Sequence, residues 1–235
     1  MIGRINSIQT LGTVDGPGVR FVLFMQGCPL RCGYCHNPDT WDFAGGYEVS
    51  SEEILEKVLR YREYFGKDGG ITVSGGEPTM QVDFVRELFA LCKGEGIHTA
   101  LDTSGCIWNE KIEKLLELTD LCLLDYKMCN PEDYEKYTRC KKESVDFFLG
   151  ELQRRNIDTW LRQVIVKGIN DSAESVRMLY DVADAHPCVK KVELLKFRKL
   201  CAPKYENLGI EFPFGNLPET KAEDISAIMS AIGKA

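Results

Sequence analysis

The chain has 235 residues, 44% hydrophobic and 28% charged, which is enough apolar material for one sizeable core and unlike a disordered tail or a collagen-like repeat. Lys and Arg number 29 against 36 Asp and Glu, and the resulting net charge of -7 argues against nucleic acid or an anionic membrane as the main partner. The ten cysteines are the feature that composition alone does not explain.

The first ten residues, MIGRINSIQT, carry no apolar stretch of the kind a secretory signal needs, and no run approaches a membrane span. The expectation is a cytoplasmic protein without a membrane partner. There, thiols stay reduced unless they bind metal or do redox work.

Six short apolar or β-branched runs read as buried strands, at residues 21–27, 70–75, 98–103, 121–127, 160–167 and 189–197. Helical patterns lie between them. Ser50 with Glu53 forms a capping box ahead of Ile54, Leu55, Val58, Leu59 and Phe65. Further amphipathic stretches cover about 82–94, 110–118, 145–152, 175–185 and, behind Pro218, 222–232. Strict alternation of strand and helix implies right-handed crossovers and a parallel sheet. No linker, charge block or repeat divides the chain, so a single α/β domain over 1–235 is expected, an incomplete (β/α)6 TIM-like barrel in preference to a doubly wound sheet. Residues 198–217 are too long for a plain connection and are expected to act as a lid.

The first of these runs leads into GCPLRCGYCH, residues 27–36, which spaces Cys28, Cys32 and Cys35 as C-x3-C-x2-C on a glycine-bearing loop. An isolated C-x-x-C such as Cys32 to Cys35 fits a zinc site or a redox dithiol, but structural zinc normally takes four ligands and no second pair follows nearby. An iron–sulfur cluster held by three thiolates fits better, and it leaves one iron open to an exchangeable ligand. The other seven cysteines show no cluster spacing, and Cys92 and Cys122 fall on apolar faces.

The segment 12–41, GTVDGPGVRFVLFMQGCPLRCGYCHNPDTW, resembles the signature of the radical S-adenosylmethionine superfamily and, within it, of the activating enzymes of glycyl radical enzymes. The resemblance extends through SGGEP (74–78), HTALDTSG (98–105), LLDYK (123–127) and VELLKF (192–197). It implies the radical SAM fold and a 4Fe-4S cluster on Cys28, Cys32 and Cys35. It also implies S-adenosylmethionine as the second cofactor, cleaved reductively to methionine and a 5′-deoxyadenosyl radical that abstracts hydrogen from a backbone glycine.

The same resemblance implies roles for further residues. Gly75, Gly76 and Glu77 line the methionyl amine. Asp102, Asp125, Tyr126 and Lys127 contact the ribose and carboxylate of S-adenosylmethionine, and Asp102, Thr103 and Asp125 help hold a monovalent cation. Tyr34 and His36 pack near the adenine, and Asp15 and Arg162 face the protein substrate. Relatives often place a histidine after the sixth strand, where this chain has Lys196, Phe197 and Arg198, with Arg198 as the replacement contact. All these positions except the last are also ordinary in α/β proteins as turn residues, caps and ion pairs. What unites them is placement at the carboxyl ends of successive strands, where parallel barrels build active sites.

No cysteine follows Cys35 until Cys92, so the ferredoxin-like insert of larger activating enzymes is missing, which favours the branch acting on pyruvate formate-lyase. The implied partners are the glycyl radical loop of that enzyme and a flavodoxin or ferredoxin as electron donor, with the chain itself a monomer in an anaerobic cytoplasm. Two alternatives stand beside this reading: an activating enzyme for another glycyl radical enzyme, such as the anaerobic ribonucleotide reductase, and a non-catalytic zinc-binding interaction module.

Overall fold

A computed structural model describes residues 1–234. Its strands are β1 (Ile2–Gly12), β2 (Arg20–Met25), β3 (Tyr47–Ser50), β4 (Gly70–Gly75), β5 (His98–Thr103), β6 (Leu121–Asp125), β7 (Asp158–Ile165) and β8 (Val189–Lys196). Its helices are α1 (Ser51–Leu59), α2 (Val82–Gly94), α3 (Glu110–Leu116), α4 (Pro131–Thr138), α5 (Lys142–Arg154), α6 (Ala173–Asp184), α7 (Ala202–Leu208) and α8 (Ala222–Ala231). One sheet joins all the strands in the order β3-β1-β2-β4-β5-β6-β7-β8. β2 and β4 through β8 pair in parallel, and β1 is antiparallel to both its neighbours. The six parallel strands are the expected ones, and together with their crossover helices they form the open α/β barrel.

The parallel strands stay together because both their faces are covered. Ile71 and Val73 on β4 and Leu101 on β5 are fully buried against α2, whose own buried face is Val82, Phe84, Val85, Leu88, Phe89 and Cys92. Removing a side chain such as Leu88 or Phe89 from water contributes about 1.5–3 kcal/mol each. Ser50 closes the capping box as expected: its hydroxyl accepts from the Glu53 N–H at 3.1 Å, and its own N–H donates to the Glu53 carboxylate at 2.8 Å. The helix stops at Leu59, earlier than the periodicity implied, and Phe65 reaches the core from beyond a 3-10 turn.

Four elements were not expected. β1 and β3 add an antiparallel pair outside the six-unit barrel, and α4 precedes the anticipated helix α5. The stretch 198–217 contains α7 and is packed. Tyr205 and Phe214 are buried there, with Tyr205 stacked on Phe212 at 4.5 Å between ring centres. It forms a strap packed against neighbouring elements.

At the amino-terminal end of the strands sits Arg20, fully buried. Its guanidinium donates to the Thr72 hydroxyl (2.9 Å) and to the carbonyls of Asp68, Ile71 and His98, and it lies 3.2 Å from His98 Nδ1. No carboxylate touches it, so burial lowers its pKa to about 10. The loop before β2 is drawn into the barrel from this side: Thr72 donates to the Asp15 carbonyl at 2.7 Å, and Arg162 donates to the Val14 carbonyl at 3.1 Å. No described helix is long and apolar enough to cross a membrane.

Candidate active site

The carboxyl ends of the strands enclose a cleft of about 400 Å³, within the range of small-ligand pockets (about 300–1,000 Å³). It is lined by the cysteine loop, the turn after β4, the ends of β5, β6 and β8, and Arg162 from β7. Asp15 reaches it from below.

Cys28, Cys32 and Cys35 all line this cleft and all are free thiols. Their loop is held from three sides. Gly27 N–H donates to the Thr40 carbonyl (2.8 Å), and Arg31 and Gly33 N–H donate to the carbonyls of Thr138 and Tyr137 at the end of α4 (3.1 and 3.0 Å). The Tyr205 hydroxyl donates to the Cys35 carbonyl at 3.1 Å. Burial pushes the Cys28 and Cys35 thiols up to about 12, so each keeps its proton until a metal displaces it. No three described His, Cys, Asp or Glu side chains converge on one ion-sized point. A cluster takes one thiolate per iron and needs no such convergence.

The turn after β4 needs its glycines for the backbone. Gly75 has φ +105°, and a Cβ there would lie 2.4 Å from the Met25 nitrogen; one on Gly76 would lie 2.3 Å from the Gly27 carbonyl oxygen. The close approach lets Gly76 and Glu77 N–H donate to the Met25 and Gly27 carbonyls, both at 2.9 Å, joining the turn to the root of the cysteine loop. The Glu77 carboxylate is buried and accepts from the Thr79 N–H and hydroxyl, the Thr103 hydroxyl, and the Ser104 N–H and hydroxyl. Glu77 thus offers main chain to the cleft, while its side chain ties β4 to the end of β5. The Thr103 hydroxyl donates to Glu77 and accepts from the Gly105 N–H.

Asp102 and Asp125 do point inward. Asp102 accepts from the Ser74 hydroxyl at 2.7 Å and pairs with Arg162 at 3.3 Å, yet burial outweighs both and raises its carboxyl to about 7. Burial likewise raises Asp15, against Arg162 and Arg20. Lys127 pairs with Asp125 at 2.8 Å; burial alone would lower its ammonium, but Asp125, Cys32 and Tyr34 together hold it well above the ordinary value. Arg162 is also opposed by burial and held up by Asp102, Asp125 and Glu193, the last 3.3 Å from its Nε. Two neighbours just past the strand ends miss the cleft. Tyr126, between Asp125 and Lys127, turns outward, and its hydroxyl donates to Asp146 on α5 at 2.6 Å. Arg198 follows the fully buried Phe197 and is exposed; only its carbonyl returns, accepting from His36 Nε2 at 3.0 Å. Lys196 lines the cleft in its place.

Whether these residues suit a polar cofactor is answered by the groups they present. The Tyr34 hydroxyl, in the cleft wall, is buried without a hydrogen-bond partner. The three thiols, the carboxylates of Asp15, Asp102 and Asp125, the ammonium groups of Lys127 and Lys196 and the orphaned Tyr34 hydroxyl share a cavity, a donor set that suits a thiolate-bound cluster beside a zwitterionic, ribose-bearing ligand. Ser74, Ser104 and Glu193, which orient this set, were not anticipated; they lie in or beside SGGEP, HTALDTSG and VELLKF and carry no spacing signal of their own.

The family model for the Radical SAM superfamily matches residues 22–179. The chain belongs to the radical SAM superfamily. The chain is 45% identical over 213 residues to the pyruvate formate-lyase-activating enzyme of Clostridium pasteurianum, covering 90% of this chain and 89% of that one. It is 39% identical over 239 residues to the enzyme of the same name from Listeria monocytogenes, covering 99% and 96%. Among solved structures, Streptococcus suis SuiB bound to S-adenosylmethionine matches 88% of this chain and 44% of its own with a TM-score of 0.68; at 13% identity this shows a shared fold alone. Membership of the radical SAM superfamily implies a 4Fe-4S cluster and S-adenosylmethionine.

Proposed function

We propose that this radical SAM protein activates pyruvate formate-lyase by generating a glycyl radical on it. The observation that carries the reading is near-full-length similarity at 39–45% identity to enzymes of that name, in a chain whose three motif cysteines line the same cleft as the GGE turn, Asp102, Asp125 and Lys127. When bound, the cluster supplies one electron for cleavage of S-adenosylmethionine to methionine and a 5′-deoxyadenosyl radical that takes hydrogen from a backbone glycine. Cys28, Cys32 and Cys35 would hold the cluster. The main chain of Gly75 to Glu77 would accept from the methionyl amine, the raised Lys127 ammonium would face the carboxylate, and Asp102 the ribose. The orphaned Tyr34 hydroxyl and His36 would border the adenine. Asp102 and Asp125 are the carboxylates available for a monovalent cation.

Asp15 and Arg162, at the inner end of the cleft, would meet the incoming glycine-bearing loop. The protein's residues would hold and orient the cofactor, which supplies the bond-breaking chemistry. A monomer acting in the cytoplasm, with flavodoxin or ferredoxin as donor, completes the reading. Anaerobic reconstitution followed by metal analysis tests it: iron and sulfide should be bound and S-adenosylmethionine cleaved on reduction, whereas a full complement of zinc with negligible iron would favour the zinc module and sink the enzyme reading.

A further inference from the structure

The carboxyl end of α4 both supports the cysteine loop and presents unpaired charge to solvent. Thr138 and Tyr137 accept the Arg31 and Gly33 N–H groups of the loop. Just outside them Lys136, Arg139 and Lys141 are exposed, and among the described residues none of the three has a carboxylate partner within ion-pair distance. Lys93, Lys111, Lys142 and Lys167, by contrast, are each paired with an aspartate. No Asp or Glu lies between positions 136 and 142, although Glu135 and Glu143 flank the segment.

Local stability accounts for only part of this arrangement. A cation near the last turn complements the helix dipole, and Lys136 serves that purpose while its ammonium sits 4.7 Å from the centre of the Tyr137 ring. Lys141 lies beyond the helix. Arg139 occupies the left-handed cap with φ +61°, where glycine or asparagine is the less strained choice, and its guanidinium makes no hydrogen bond among the described residues. An exposed cation in a strained cap, with two more beside it on a protein of net charge -7, is better explained by a binding surface than by folding.

We propose that Lys136, Arg139 and Lys141 form the docking surface for an acidic protein that carries single electrons. The proposal rests on the functional reading above, because a centre that must be reduced before it acts needs such a donor. A carrier seated here is separated from the cysteine loop only by residues 137 and 138, which hydrogen-bond to it. In the transfer the carrier is oxidised by one electron and the centre held by the three cysteines gains it; no bond is made or broken. Opposite charge brings the two proteins together quickly and lets them part after each transfer.

The test uses the reconstituted enzyme and the variant Lys136→Glu/Arg139→Glu/Lys141→Glu, with Lys136→Gln/Lys141→Gln as a milder second variant. Methionine release from S-adenosylmethionine is followed with either reduced flavodoxin or dithionite as reductant. The expected result is a fall of about tenfold or more with flavodoxin at low salt, weaker flavodoxin binding, a smaller salt dependence, and an unchanged rate with dithionite. An equal flavodoxin rate in all three proteins would overturn the proposal. So would an equal loss with both reductants in folded variants, which would assign the segment to the cleft itself. Normal methionine release but a lower glycyl radical yield would assign the surface to the protein substrate and equally overturn it. Failure of the unaltered enzyme to release methionine with dithionite would instead contradict the functional reading.

Discussion

Two buried arginines mark the two ends of the barrel. Arg20, at the amino ends of the strands, is surrounded by neutral acceptors that use its donors, and its pKa falls. Arg162, lining the cleft from within β7, is met instead by the carboxylates of Asp102 and Glu193 and is held above its ordinary value. The same side chain is satisfied by neutral groups in one place and by carboxylates in the other. Burial alone therefore does not mark a site; carboxylates gathered around a buried charge do.

If that contrast is right, substitutions at the two ends fail in different ways. The largest effect belongs to the carboxyl end. Cys32→Ala should abolish reductive cleavage of S-adenosylmethionine, measured as methionine release, while leaving the urea midpoint of the cluster-free chain nearly unchanged; retained cleavage would mean that the cluster ligands are misassigned. At the opposite end, Arg20→Leu leaves the carbonyls of Asp68, Ile71 and His98 without their donor and should cost about 3 kcal/mol in urea denaturation. The folded fraction should bind S-adenosylmethionine with wild-type affinity, and a large affinity loss would break the contrast.

Glu77→Gln lies between these extremes, because Glu77 belongs to the site's frame. An amide facing the donors of Thr79, Thr103 and Ser104 should cost about 1–3 kcal/mol and lower methionine release as well, so a change in only one of the two would be informative.

The smallest expected effect concerns pH. Asp102 titrates near 3.8 when unfolded and near 7 when folded. Between these values the folded chain binds a proton that the unfolded chain has released, so this group's contribution to stability declines as pH rises through that interval. Asp102→Asn should flatten this part of the stability profile of the cluster-free chain, and parallel profiles would show that the Asp102 environment has been misread.

The barrel was legible because strands buried on both faces leave continuous apolar runs, as at Phe21 to Met25 and Leu121 to Leu124. β1 escaped notice because it mixes Asn6, Ser7, Gln9 and Thr10 into an outer strand, and β3 is only four residues long. α4 is polar and buries only Tyr134 and Thr138; its one signal was Asn130 before Pro131, a capping asparagine with proline in the first turn. In the site, the cysteine spacing and the inward residues at strand ends were visible in the sequence. The facing of neighbouring side chains was not. Tyr126 and Arg198 lie just past the ends of β6 and β8 and miss the cleft, and Glu77 was drawn toward Thr103 and Ser104, 26 and 27 positions away, by bonds that leave no local pattern.

The most direct test of the central claim is electron paramagnetic resonance of an anaerobic mixture of the reconstituted protein, pyruvate formate-lyase, S-adenosylmethionine and a reductant. The account predicts a glycyl radical signal on pyruvate formate-lyase that requires every component and disappears with Cys32→Ala. Iron-loaded protein that cleaves S-adenosylmethionine but leaves pyruvate formate-lyase without a radical, while raising one on another glycyl radical enzyme, would contradict it.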